Sequence, residues 1–118
     1  MIESRNDIRY FENEEKRVIV AKAYIWEELD NIVYKICNAN PYLCYEALSD
    51  LIYKYPNEVV AKARCAPEDE WNEEYGANLA KDRLVEKLNR IRTRFIVEIS
   101  STLGEVVTNI NRKYFYKK

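Results

Sequence analysis

Histidine is missing altogether from the 118 residues, and that absence removes much of the familiar catalytic repertoire. No Ser-His-Asp or Cys-His nucleophile pair can be assembled. A zinc site would lack imidazole, and the three scattered cysteines, Cys37, Cys44 and Cys65, make a poor thiolate site. Glycine occurs only at positions 76 and 104, so neither a G-x-G-x-x-G fingerprint nor a Walker loop can be written. A carboxylate-only metal site stays open, but no motif calls for a cofactor. The expectation is a binding protein and not an enzyme.

Long apolar runs are missing too. None approaches the length of a membrane span. The start, Met1-Ile2-Glu3-Ser4-Arg5, runs straight into polar residues and has no secretory pattern. The odd cysteine count without a C-x-x-C pair fits reduced thiols that act as small hydrophobes, hence a cytoplasmic location. Lys and Arg number 19 and Asp and Glu 20, a net charge of −1. Such balance argues against bulk nucleic-acid binding, so no DNA partner is expected, and no membrane.

What remains is a globular composition, 47% apolar and 33% charged, sized for a single domain over 1–118. Ten tyrosines suit core rims, interfaces or nucleobase pockets. Residues 1–15 are polar with isolated Ile8, Tyr10 and Phe11, and read as a loose N-terminal arm. Residues 16–24 are β-branched and bounded by charge, which favours a strand, with helix as the competing reading. Trp26, Leu29, Ile32, Val33, Ile36 and Cys37 recur at helical spacing until Pro41 ends the pattern. A second helical segment carries Leu43, Ala47, Leu48, Leu51 and Ile52 and ends at Pro56. Residues 58–65 alternate as a strand, with Val59, Ala61, Ala63 and Cys65 on one face. Val-Ala-Lys-Ala occurs at 20–23 and again at 60–63, an echo that fits two paired strands beneath helices.

An acidic turn, 66–74, leads into a last helix whose apolar stripe barely stops from Leu79 to Tyr114. Such a helix would be roughly 50 Å long, beyond the width of a small domain. Ser100-Ser101-Thr102 and Gly104 are its expected weak point. If it is unbroken, the stripe needs cover from a second copy, which predicts an oligomer. The fold class is therefore α+β: a small antiparallel sheet of two or more strands packed with long α-helices.

Three constellations could carry function. Arg83, Lys87, Arg90 and Arg94 step by four, three and four, so they share one helix face. Guanidinium groups there could hold phosphate, or simply form a solvated face paired with Glu86. Lys62 and Arg64, on the polar face of the second strand, precede Trp71 and Tyr75 closely. A ring that stacks a base beside a cation that meets phosphate would hold an anionic nucleotide. Trp71 could equally be a hydrophobic anchor for the turn. Asn78 could read a base edge or a ribose hydroxyl. Glu68, Asp69, Glu70, Glu73 and Glu74 could hold Mg²⁺ or Ca²⁺, but they lack EF-hand spacing, and helix capping explains them better. The candidate ligand-binding residues are Lys62, Arg64, Trp71, Asn78, Arg83 and Arg90.

The run from Val59 to Asn72, Val-Val-Ala-Lys-Ala-Arg-Cys-Ala-Pro-Glu-Asp-Glu-Trp-Asn, followed by Gly76, Leu79-Ala80 and Arg83, resembles small phage proteins of Gram-positive bacteria. Among these it is similar to the phage anti-Thoeris proteins of the first type. The likeness covers about 25 residues, and that family often has Phe where this chain has Trp71. The resemblance implies an α+β sponge that sequesters cyclic ADP-ribose isomers without cleaving them and works as a dimer or higher assembly. Some members also take up cyclic oligonucleotides. A phage inhibitor of the anti-CRISPR kind, binding a host protein through the acidic run 68–74 or a tyrosine-rich surface, is the alternative. Nucleic-acid binding through the Arg83–Arg94 stripe is a weaker one.

Overall fold

The computed structural model describes residues 8–39 and 45–114, with side chains described as far as residue 104. In chain order the elements are β1(Arg9–Asn13), β2(Val18–Tyr24), α1(Trp26–Ala39), α2(Tyr45–Ser49) with a 3-10 turn at Asp50–Lys54, β3(Glu58–Arg64) and α3(Glu73–Tyr114). The three strands form one antiparallel sheet in the order β1-β2-β3. This is the α+β architecture that the sequence predicts.

The chain echo is a strand pair. Ala21 lies opposite Ala61, Ile19 opposite Ala63 and Ala23 opposite Val59. All six side chains are buried. Alanine here keeps the surface of β2 and β3 low, so α3 can lie close across both strands. Leu84, Leu88, Phe95 and Ile99 of α3 fill the core with Ile25, just before α1, and Leu29 and Val33 of α1. Asn57 starts α1 from a distance: its Oδ1 accepts the Trp26 N–H at 3.1 Å. The Trp26 indole N–H donates to the Tyr55 carbonyl at 2.8 Å and closes the same corner.

Two expectations change. Residues 9–13 are not part of a loose arm but a paired strand, with Arg9 opposite Lys22 and Asn13 opposite Val18. Its own residues favour no structure strongly; the open edge of β2 and the turn at 14–17 impose it. In that turn Asn13 accepts the Lys16 N–H through its side chain, and Arg17 takes a left-handed φ of 53°. The other concerns the cover of α3, whose residues allow either a break or a continuous helix; it runs unbroken through Ser100–Gly104 over 42 residues, or about 63 Å at the helical rise. Its residues Leu84, Leu88, Phe95 and Ile99 are buried in the chain's own core, where α3 packs on β2, β3 and the 3-10 turn, so these four need no second copy to bury them. The stripe beyond Gly104 lies outside the described side chains.

Gly104 is exposed, and a Cβ added there meets nothing within 4 Å. Gly104→Ala should therefore stabilise the protein by about 0.8–1 kcal/mol, the interior-helix propensity difference. Urea unfolding checks this: the midpoint should rise with the slope unchanged, and an unmoved midpoint would place this turn outside the cooperative unit.

Tyr55 links the 3-10 turn to α3. Its ring meets Phe95 edge-on at 6.0 Å, and its hydroxyl donates to Glu98. Burial, then the Glu98 carboxylate, pushes its pKa up from 10.0 to about 12. The folded protein thus keeps a proton that the unfolded chain releases. That contribution is complete below pH 10 and is lost as pH climbs towards 12. Tyr55→Phe should flatten the fall of unfolding free energy over this window; an equally steep fall would remove Tyr55 as its source.

Candidate functional site

The end of β3 leads into a tight turn. Asp69 N–H donates to the Ala66 carbonyl at 3.0 Å, with Pro67 supplying a preset φ at the second position. Asn72 then caps α3: its Oδ1 accepts the Tyr75 N–H at 2.9 Å. Glu73 and Glu74 occupy the first helical turn, where carboxylates suit the positive end of the helix dipole. Between strand, turn and helix lies a cavity of about 270 Å³.

Arg64, Cys65, Asp69, Glu70, Trp71 and Tyr75 supply its chemistry, with Ile19, Ala63, Gly76 and Leu79 as the apolar floor. Gly76 matters for this floor: a Cβ there would stand 2.8 Å from Ile19 Cδ1. Trp71 is half-buried and packs against the core edge, while Tyr75 is 67% exposed at the rim. The residues that line this cavity carry an indole, two carboxyl groups and, at its margin where β3 ends, the Arg64 guanidinium. Rings stack planar groups, guanidinium binds phosphate in a fork, and carboxylates accept from ribose hydroxyls or base amino groups.

Arg17 holds this cavity's wall and is a residue that sequence reasoning missed. From the hairpin turn its guanidinium reaches Cys65 Sγ at 3.1 Å and donates to the Asp69 carbonyl. The Cys65 N–H returns to the Arg17 carbonyl at 2.9 Å. Its Nε is buried without a hydrogen-bond partner among the described residues. The Cys65 thiol lies 3.6 Å from the carbonyls of Ala66 and Glu70. It is a free, half-buried thiol, like that of Cys37.

The six nominated residues divide between two places. Arg64 and Trp71 share the cavity just described. Lys62, Arg83 and Arg90 line a broader cleft of about 680 Å³ along the open edge of β3. There the basic stripe has a structural duty. Arg83 donates to the Lys62 carbonyl at 2.8 Å and Lys87 to the Val60 carbonyl at 2.6 Å. Long cations thus occupy acceptors that another strand would otherwise find. Arg90 pairs with Glu86 one turn away. Asn78 is exposed and lines neither cavity.

Arg92, off the basic stripe, is the buried cation. It forms a forked pair with both Glu28 carboxylate oxygens and donates to Asn89. Side-chain exposure is 10% for Arg92 and 4% for Glu28. Among the described residues no three His, Cys, Asp or Glu side chains come together as a metal would require. No helix among them is long and apolar enough to cross a membrane. Comparison of the chain with protein-family models, curated proteins and solved structures finds no match.

Proposed function

We propose that this chain binds and sequesters a cyclic nucleotide signal, a cyclic ADP-ribose isomer, without cleaving it, in the manner of a phage anti-defence sponge. The observation that carries the reading is the meeting of Trp71 and Arg64 in one cavity at the strand–helix junction, walled by Asp69 and Glu70. Trp71 stacks a base, Arg64 meets a phosphate, and the carboxylates take ribose hydroxyls. The resemblance over residues 59–83 spans this same turn.

Size bears on the assembly. About 270 Å³ lies just under the span of roughly 300–1,000 Å³ typical of small-ligand sites. It admits a base and part of a ribose, and the rest of the ligand projects outward. A second copy placed over the mouth would enclose it, so the reading includes a homodimer or larger assembly. Enclosure by a preformed wall is what tight sequestration needs.

Native mass spectrometry with a panel of cyclic ADP-ribose isomers and cyclic di- and trinucleotides tests this. Intact ligand retained on a dimer or larger assembly is the expected result. No retention across the panel would overturn it and favour the second reading, inhibition by binding a host protein. That reading draws on exposed tyrosines, Tyr34, Tyr53 and Tyr75, at 59%, 66% and 67% exposure. Recovery of hydrolysed ligand would instead mark an enzyme.

A further inference from the structure

Among the described residues α3 packs across one face of β2 and β3, and the opposite face carries a chemistry of its own. The inward residues of β2 and β3 are buried, so the alternate residues point to the other face, which no described element covers. Pairing brings Phe11 beside Val20 and Lys62, Arg9 beside Lys22 and Val60, and Tyr24 beside Glu58. Phe11 and Tyr24 are each 49% exposed there.

Charge on this face is one-sided. Its strand positions hold four cations, Arg9, Lys22, Lys62 and Arg64, and one carboxylate, Glu58. Glu58 is shared by Arg9 at 3.4 Å and Lys22 at 3.9 Å. Lys62 and Arg64 have no ion-pair partner among the described residues and are exposed. A chain of net charge −1 has thus gathered positive charge on one flat surface. The same cations attend the rings: Arg9 lies 4.5 Å from the Tyr24 ring centre and Lys22 lies 5.0 Å from that of Phe11.

From these observations we infer that the uncovered sheet face is a binding platform for single-stranded nucleic acid. Bases stack on any aromatic ring, and a line of cations tracks the backbone, a combination that needs no sequence preference. Phe11 and Tyr24 stand four residues apart in register and one strand apart, roughly 14 Å by strand geometry. That separation spans two or three nucleotides of an extended strand. A second copy of this chain fits the face poorly, because it would bring the same cations together across a two-fold axis. The platform is separate from the Trp71 cavity in its rings, and shares only Arg64 at its margin.

Fluorescence anisotropy of the full chain with a labelled oligouridylate of about 15 nucleotides, near the site size of such platforms, tests this. At about 50 mM salt binding is expected, with log K falling against log salt at a slope near −2 to −3, as three or four neutralised phosphates require. Phe11→Ala should weaken binding about tenfold through lost stacking. Lys62→Glu should weaken it and flatten the salt slope by about one. Both side chains lie off the core, so circular dichroism should show unchanged folds. Trp71→Ala should leave oligonucleotide binding intact, which separates failure here from failure of the cyclic-nucleotide reading. Absence of binding, binding indifferent to both variants, or preference for anionic vesicles over the oligonucleotide would each overturn the proposal.

Discussion

Replacing Arg92 with alanine should lower the unfolding free energy by about 3–5 kcal/mol, the usual effect of breaking a buried ion pair from one side. Arg92 and Glu28 join α3 to the first turn of α1, with the guanidinium fork on both carboxylate oxygens. Truncation leaves the carboxylate without that fork in a place where water hardly reaches, since Glu28 is 5% exposed. Domains of this size are stable by only about 5–15 kcal/mol, so the loss is a large share of the total. Urea denaturation followed by circular dichroism measures it. A change below about 1 kcal/mol would mean that the pair is no better than a surface bridge. Two companions define the cause. Arg92→Lys should recover only part of the loss, because an ammonium cannot reproduce the planar fork. Arg92→Met with Glu28→Leu should recover more, because it removes both charges at once.

The second large effect falls on binding. Trp71→Ala should reduce retention of the cyclic nucleotide about thirtyfold or more, the scale expected when a central aromatic anchor is truncated. The indole lines the cavity and packs on the core edge, so some stability is lost as well. Trp71→Phe separates the two: a stacking ring survives, and affinity should return to within about tenfold of the parent, the scale of a modest stacking difference. Arg64→Ala should weaken affinity and leave the fold intact, since its side chain is exposed. Titration calorimetry on all three checks the order. If Trp71→Ala binds as the parent does, the cavity is not the ligand site, whatever the chain retains elsewhere.

Much of the architecture is legible in the residue order because it depends on short-range periodicity. Glu58–Arg64 alternates at period two, Val18–Tyr24 is β-branched and preceded by charge, and the apolar positions of α3 recur at three and four. The Val-Ala-Lys-Ala echo anticipates the β2–β3 pairing because small side chains on both strands must face the same helix. The turn at 66–72 is readable from Pro67 and the Asn72 cap, and with it the nearness of Arg64 to Trp71.

The sequence by itself determined the helical segments and the strand at 58–64, the turn that brings Arg64 and Trp71 together, and the lack of imidazole chemistry, since each follows from local conformation or composition. The tertiary structure alone decided matters that rest on contacts between distant residues. Arg9–Asn13 is a strand because β2 offers it an open edge, not because its own residues demand one. Arg17 reaches residues 48 and 52 positions away, through a left-handed turn that no residue pattern announces. Arg83 and Lys87 protect the edge of β3, whereas Arg92, which resembles them in sequence, is drawn into the core by Glu28. Nearly equal totals of acid and base describe a neutral chain, and only the pairing register shows four cations sharing one face. The physical reason is common to all of these. Periodicity is a property of neighbours along the chain, while charge pairing, edge protection and surface potential belong to neighbours in space.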